Sequence, residues 1–379
     1  MKRLEQYLPV GKQRLRCGYT TGTCAAAASR AAAELLLTGT APASVLVETP
    51  AGIPVEVEVE QAYLTEESAC CAVRKDAGDD PDVTDGLLVM SEVRRQAAGW
   101  TIQGGEGVGR VTRPGLDQPP GESAINSVPR RMITEQLRST AEQAGYTGGL
   151  CVTISIPEGR ALAEKTFNPR LGIEGGLSIL GTTGIVRPMS EAALVDTLRA
   201  ELDQRRAEGG LDLLLSPGSY GATFCRTSLG LDLKNSVQCS NYIGEALDHA
   251  ALLGFRSLLL VGHVGKLVKC SAGVMNTHSR VADARLETLA AHAALCGADR
   301  EIVTNIMASA TTDAALELLQ KAGLLEATMA SVTRALGCQL RRRAGEHLWV
   351  EAVVFSNRFG LLGQTDGASE LLELHRGRN

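Results

Sequence analysis

Aromatic residues make up only 3% of this 379-residue chain. Single-stranded nucleic acid is usually held on aromatic stacking platforms, and a formal net charge of −5 supplies no basic surface in their place. A dedicated nucleic-acid binder is therefore not expected. Long apolar runs are missing too: none approaches the roughly 18–20 residues that span a bilayer. The polar N-terminal stretch MKRLEQYLPVGKQRLRCGYTTG lacks the apolar middle of a signal peptide. A cytoplasmic protein with no membrane partner is the expectation. The ten cysteines include no Cys-x-x-Cys pair, and Cys70 and Cys71 are adjacent, which suits neither a zinc knuckle nor an ordinary disulfide. Dispersed thiols of this kind fit small buried residues in a reducing compartment. There is no His-Glu-x-x-His, no Gly-x-Ser-x-Gly and no paired aspartate of metal spacing, and the six histidines lie far apart. Protein-bound metal and triad chemistry are not expected.

Hydrophobic residues at 44% against 21% charged allow a large core of Leu, Val, Ile and Ala. The length suggests two domains. Residues 20–38 (TTGTCAAAASRAAAELLLT) predict a helix capped by a threonine and ended by Gly39, with alanines that permit close approach of a neighbour. Strands are predicted at 44–49, at 53–59 where valine alternates with glutamate, at 69–74, near 87–94 and at 150–156, with a helix from Pro129 to about Ala144. The acidic stretch 76–86 reads as a loop. From Ser190 the pattern becomes helix (190–207), strand (211–216), helix (240–253), strand (256–262) and helix (265–275). About four helical segments over 283–337 and a last strand at 348–355 follow. Hairpin strands predict an α+β domain over 1–187. Alternation predicts a layered α/β domain with a mainly parallel sheet over 188–379, the boundary falling near Pro188.

The run LLLVGHVGKLVKCSAGVMNTHSRVAD (258–283) has the grammar of a buried strand, a glycine turn and a helix N-terminus. Ligands in open α/β sheets sit at the carboxyl ends of strands, which singles out Gly262, His263, Gly265 and Lys266. The turn is not a phosphate-binding loop: Leu260 stands where that motif needs glycine, and Leu267 where it needs Ser or Thr. A plain strand–helix connection is the competing reading. The segment GGEGVGRVTRPGLDQPPGE (104–122) mimics the start of a dinucleotide fingerprint, but Arg113-Pro114-Gly115 does not open the helix the fingerprint requires. What remains is a flexible loop offering backbone N–H groups beside Arg110 and Arg113, apt for carboxylates or phosphates. Arg130 and Arg131 open a helix against its dipole, so an anionic partner would explain them. A solvated face would do so equally.

Five motifs in one order carry a resemblance: GYTTGTCAAAA (18–28), GGEGVGRVTRPGL (104–116), GESAINSVPRRMI (121–133), NPRLGIEGGLSILGTTGIVRPMS (168–190) and GHVGKLVKCSAGVMNTHSRVADAR (262–285). Together they resemble the CbiD family, the cobalt-precorrin-5B C-1 methyltransferases of the anaerobic route to cobalamin. Two departures are visible, Ser127 in place of a proline and Ser219 in place of an asparagine.

The resemblance implies methyl transfer from S-adenosylmethionine to ring carbon C-1 of a cobalt-corrinoid substrate. A macrocycle rimmed with carboxylates would suit Arg110, Arg113, Arg130 and Arg131, each charged hydrogen bond contributing ~1.5–3 kcal/mol. Thr20 and Thr21 of the first motif join them as expected substrate contacts. The glycine turns Gly181, Thr182, Thr183, Gly184 and Gly262, Gly265, Lys266 are the expected donor contacts. The substrate carbon is itself the nucleophile, so the enzyme's task is to hold it in line with the methyl group, about 3–3.5 Å away. A base to take up a released proton would be His263, His278 or Asp283, in falling order. The alternatives are a non-catalytic tetrapyrrole carrier and a different methyltransferase or lyase acting on another polyanion. The alanine-rich helix can pack within one subunit or against a second, so a homo-oligomer is compatible with the sequence.

Overall fold

The computed structural model describes residues 3–10, 13–166, 168–169, 171–233 and 236–376. Arg170 of the fourth motif, and Phe167 just before that motif, lie outside the described residues. The chain forms two compact units, Met1–Glu191 and Ala192–Asn379. Among the described residues no helix is long and apolar enough to cross a membrane.

The first unit runs β1 (Tyr7–Val10), β2 (Gln13–Arg16), β3 (Gly18–Tyr19), α1 (Thr21–Thr38), β4 (Ser44–Glu48), β5 (Pro54–Leu64), β6 (Ser68–Arg74) and β7 (Leu88–Gln96). It continues with β8 (Trp100–Gly104), β9 (Arg110–Val111), α2 (Ser127–Gln143), β10 (Gly149–Ser155), α3 (Gly159–Ala163), β11 (Ile173–Glu174) and β12 (Ile185–Val186). The central sheet has the order β4-β5-β6-β7-β10-β8 and is antiparallel except for the β10–β8 pair. Helix α1 begins at Thr20, whose side chain accepts the N–H of Thr23, and ends at Gly39 in the left-handed region. Ala25–Ala28 and Ala31–Ala33 are all fully buried. With no bulk beyond Cβ, the helix settles closely onto the sheet and α2. The Ser29 and Ser91 hydroxyls meet at 2.9 Å within that interface.

The stretch 104–122, expected as a flexible loop, is tied down along much of its length. Val108 bridges Leu177, Gly109 donates to Leu177 and accepts from Ala124, and Ile179 donates to Ala124. Asn126 donates to Ile179, and Gly22 of α1 donates to Leu180. Four motif segments thus form one backbone ladder. The glycines let these backbones touch: a Cβ on Gly107, at φ +71°, would lie 1.8 Å from the carbonyl oxygen of Ile156.

The second unit runs α4 (Glu191–Ala207), which begins at the division, then β13 (Asp212–Ser216), α5 (Ser219–Thr227), β14 (Ser236–Gln238), α6 (Ile243–Leu252), β15 (Ser257–His263) and α7 (Val264–Ser271). After these come α8 (Arg285–Leu295), α9 (Arg300–Met307), α10 (Thr312–Lys321), α11 (Leu325–Ala344), β16 (Trp349–Ser356), β17 (Gly360–Gln364) and α12 (Ala368–Arg376). Neither α5 nor β14 was foreseen, because α5 opens on the turn residues Pro217 and Gly218 and β14 is only three residues long. Strand β17 and α12 extend the unit past the expected last strand. Helix α7 stops at Ser271, short of the expected 275, at the turn where Gly273 takes φ +84°.

The sheet order is β14-β13-β15-β16-β17, parallel except for β17. Strands buried on both faces read as unbroken apolar runs, as LLL (213–215) and LLLV (258–261) do. Leu213, Leu215, Leu258 and Leu260 pack on the face of α6, α7 and α11, while Leu214, Leu259 and Val261 pack on the face of α5 and α12. Right-handed crossovers require this split: the chain moves outward from β13 to β14 and back across to β15, so the two connecting helices take opposite faces.

Candidate functional site

Helices α5 and α7 leave the adjacent strands β13 and β15 toward opposite faces, which makes the carboxyl ends of those strands a topological switch point, the place for a ligand crevice in open α/β sheets. On the β13 side, Gly218 takes φ +108° and ψ −174°, a conformation left to glycine, and starts α5. A Cβ on Gly221 would lie 2.7 Å from the carbonyl oxygen of Val261, so the first turn of α5 lies against β15. On the β15 side, His263 caps α7, its Nδ1 accepting the N–H of Gly265 at 3.1 Å. The edge of its ring meets Phe355, which stacks on Phe224 of α5.

Lys266 ties the crevice together. Its Nζ donates to the carbonyls of Pro217 and Ser240, both at 3.1 Å, and so joins the loops that follow β13, β14 and β15. Among the described residues no carboxylate pairs with it, and burial pushes its ammonium below the usual lysine range. Ser240 sits at φ +52°, a strained position for a residue with a side chain. Burial likewise pushes the His263 imidazole down, with Asp313 opposing.

The polar run after α7 folds onto the same edge. Asn276 bridges Tyr242, Thr277 donates to the backbone and side-chain oxygens of Asn241, and Gly244 donates to Met275. Buried Lys269 holds the run from beneath, its Nζ donating to the carbonyls of Thr277 at 3.1 Å and Ala282 at 2.9 Å. His278 accepts the N–H of Arg280 through Nδ1. Asp283 is clamped by Arg285, which holds its carboxyl below the usual range, and lies 3.9 Å from Lys269. A carboxylate so stabilised is a weaker base than an unpaired one.

The remaining sequence-predicted residues belong to the first unit, where many serve its backbone ladder. The hydroxyl of Thr21 donates to Leu180, and Thr20 caps α1. A Cβ on Gly181 would strike Thr20 at 2.2 Å and one on Gly184 would strike Thr49 at 2.7 Å, so both glycines face protein. Thr183 donates to Ile185 at 3.0 Å, and Thr182 is exposed. Arg130 is held within the protein: it donates to the carbonyls of Ile125 at 2.8 Å, Ile102 at 3.1 Å and Ser123 at 3.5 Å, and the Glu122 carboxylate lies 3.6 Å away. Arg110 donates to Gly121, and the Arg113 side chain lies over Gly172. Arg131 is exposed, and among the described residues its one ion-pair partner is Glu135 at 3.9 Å. The acidic loop is also self-satisfied: Asp76 takes Arg16 and Asp82 takes Lys75, each at 2.6 Å. Among the described residues no three His, Cys, Asp or Glu side chains are grouped to hold a metal ion.

The family model for CbiD matches residues 9–188, and that for the CbiD C-terminal domain matches residues 276–366. The chain belongs to the CbiD family. A cobalt-precorrin-5B C(1)-methyltransferase of Ruminiclostridium cellulolyticum is 47% identical over 93% of this chain and 92% of that protein. One from Alkaliphilus metalliredigens is 41% identical over 98% of both. A crystal structure of cobalamin biosynthesis protein (cbiD) from Archaeoglobus fulgidus is 32% identical, covers 75% of this chain and 89% of that one, and has a TM-score of 0.42. In this CbiD chain the GHVGK turn lies between the two matched stretches. Sequence reasoning had missed Pro217, Ser240, Lys269 and Asp313 at or beside the crevice. Only Pro217 carried a signal, as the turn residue closing an apolar run. A left-handed serine and a lysine buried under carbonyls leave no mark in the residue pattern.

Proposed function

We propose that this chain transfers the methyl group of S-adenosylmethionine to C-1 of cobalt-precorrin-5B, the substrate its relatives are named for, and that the donor occupies the β13/β15 crevice. Kinship at 47% identity over 93% of the chain carries the reaction class. The switch-point topology supports the placement, with Lys266 joining the three strand-end loops that meet there. The donor supplies an activated methyl cation equivalent. The corrinoid carbon attacks the methyl carbon, the new C–C bond forms as the S–C bond breaks, and S-adenosylhomocysteine leaves. The protein's task is alignment, which by itself can lower a barrier by about 7–11 kcal/mol.

Lys266 keeps the three strand-end loops at fixed spacing, and the Phe355–Phe224 stack backs His263. Substrate carboxylates are assigned to the guanidiniums on the exposed residues Arg110 and Arg131, and to Arg113 over Gly172. The internal hydrogen bonds of Arg130 give it a supporting part. The test is incubation with S-adenosylmethionine and cobalt-precorrin-5B. A product heavier by one methyl group, with stoichiometric S-adenosylhomocysteine, is expected. Tight tetrapyrrole binding without turnover would make the protein a carrier instead.

A further inference from the structure

His263 was the first candidate for a base, and its geometry argues for a different role. A ring nitrogen that accepts an amide N–H presents its lone pair there. In the neutral ring the proton then sits on the other nitrogen, so Nδ1, engaged by Gly265 at 3.1 Å, leaves Nε2 as an N–H donor. Among the described residues Nε2 has no protein partner, and it is not one of the buried atoms left without one. The residue is half-buried, so solvent reaches that nitrogen. The carboxylate that faces the ring, Asp313, is already engaged by the Ser356 hydroxyl at 2.9 Å. Lys266, three positions along, spends its ammonium on the Pro217 and Ser240 carbonyls, and among the described residues no carboxylate pairs with it. A solvent-facing N–H donor with no protein partner, at the carboxyl end of a central strand, is the group that would meet a ligand's carboxylate.

We propose that His263 is a neutral hydrogen-bond donor whose Nε2–H meets the carboxylate of the bound methyl donor. This rests on reading the crevice as the donor site. Two substitutions divide the ring's two jobs. His263→Asn keeps an acceptor for the Gly265 N–H and loses the distal donor. His263→Gln places an amide N–H near the Nε2 position.

The measurement is calorimetric binding of S-adenosylhomocysteine and of 5′-methylthioadenosine, which lacks the carboxylate, to the full-length wild-type protein and both variants. His263→Asn should weaken S-adenosylhomocysteine about tenfold and leave methylthioadenosine within about twofold, while His263→Gln recovers most of the loss. Parallel weakening of both ligands, or no advantage of Gln over Asn, overturns the inference and leaves methyl transfer standing. Failure of the wild-type protein to bind S-adenosylhomocysteine overturns both. Nitrogen-15 spectra of the ligand-free protein give an independent check: the proton is expected on Nε2, and a proton on Nδ1 refutes the assignment.

Discussion

Replacing Lys266 with methionine keeps most of the apolar stem and removes the ammonium. The two carbonyls it serves, Pro217 and Ser240, each lose a donor at 3.1 Å. Hydrogen bonds to a charged group contribute about 1.5–3 kcal/mol each when one partner is deleted. Two terms offset that loss. The carbonyls lie at the sheet edge, where water can return, and the variant no longer desolvates an unpaired cation. Global stability should therefore fall by only about 0–1 kcal/mol. The local effect is larger. Ser240 holds a left-handed conformation at φ +52° that costs a residue with a side chain roughly 1–2 kcal/mol. Freed from Lys266, it relaxes and the strand-end loops lose their spacing. Affinity for S-adenosylhomocysteine should drop about tenfold by calorimetry, with the melting temperature nearly unchanged. Adding Ser240→Gly, which occupies the left-handed region without strain, should restore part of the affinity. Full affinity in Lys266→Met, or no recovery in the double variant, would refute the reasoning.

Three further outcomes follow from the same structure. Gly107→Ala should destabilise the protein by more than about 2 kcal/mol in urea unfolding, because a left-handed alanine would also strike the Ile156 carbonyl; a stable variant would mean the ladder is loose there. Arg130→Met should lower stability by about 1–3 kcal/mol through its lost carbonyl contacts. Exposed Arg131→Gln should leave the melting temperature alone and raise KM for the tetrapyrrole, and the reverse pattern would exchange their roles. Acidification should destabilise the fold. Burial holds the His263 pKa below its ordinary 6.5, so the unfolded chain takes up a proton that the folded one resists, and stability declines below that pH. Burial alone would raise the carboxyls of Asp76 and Asp82, but Arg16 and Lys75 outweigh it and hold them below 3.8. Their stabilisation is present above that value and lost as pH falls toward the folded-state pKa. Melting temperature should fall between about pH 7 and pH 5, and faster below about pH 4; a flat profile would contradict the shifts.

How much of this the residues announced depends on the kind of interaction. Helix α1 was legible because its cap, its alanine run and its terminal glycine are local signals, and LLLV (258–261) was legible as a buried strand. The ladder joining 107–111, 123–126 and 176–180 was not, because backbone bonds between distant segments have no side-chain signature. Glycine reports that something comes close without saying what: at Gly181 and Gly184 the neighbours are Thr20 and Thr49. Arginine has the same ambiguity. Arg130 read as a contact for an anionic partner, yet it is engaged within the protein by carbonyls from three other positions and by Glu122, and spacing cannot distinguish the two. Strand β14 escaped because three residues carry no period. The strand, turn and helix around Gly262–Lys266 were anticipated from strand-then-glycine grammar, whereas the neighbouring ends of β13 and β14 required the sheet order.

The placement of the methyl donor is tested most directly by hydrogen–deuterium exchange of the full-length protein with and without S-adenosylhomocysteine. Slowed exchange at 217–221, 240–242 and 263–266 is the expected result. Protection confined to Gly181–Gly184, with the strand-end loops unaffected, would contradict it.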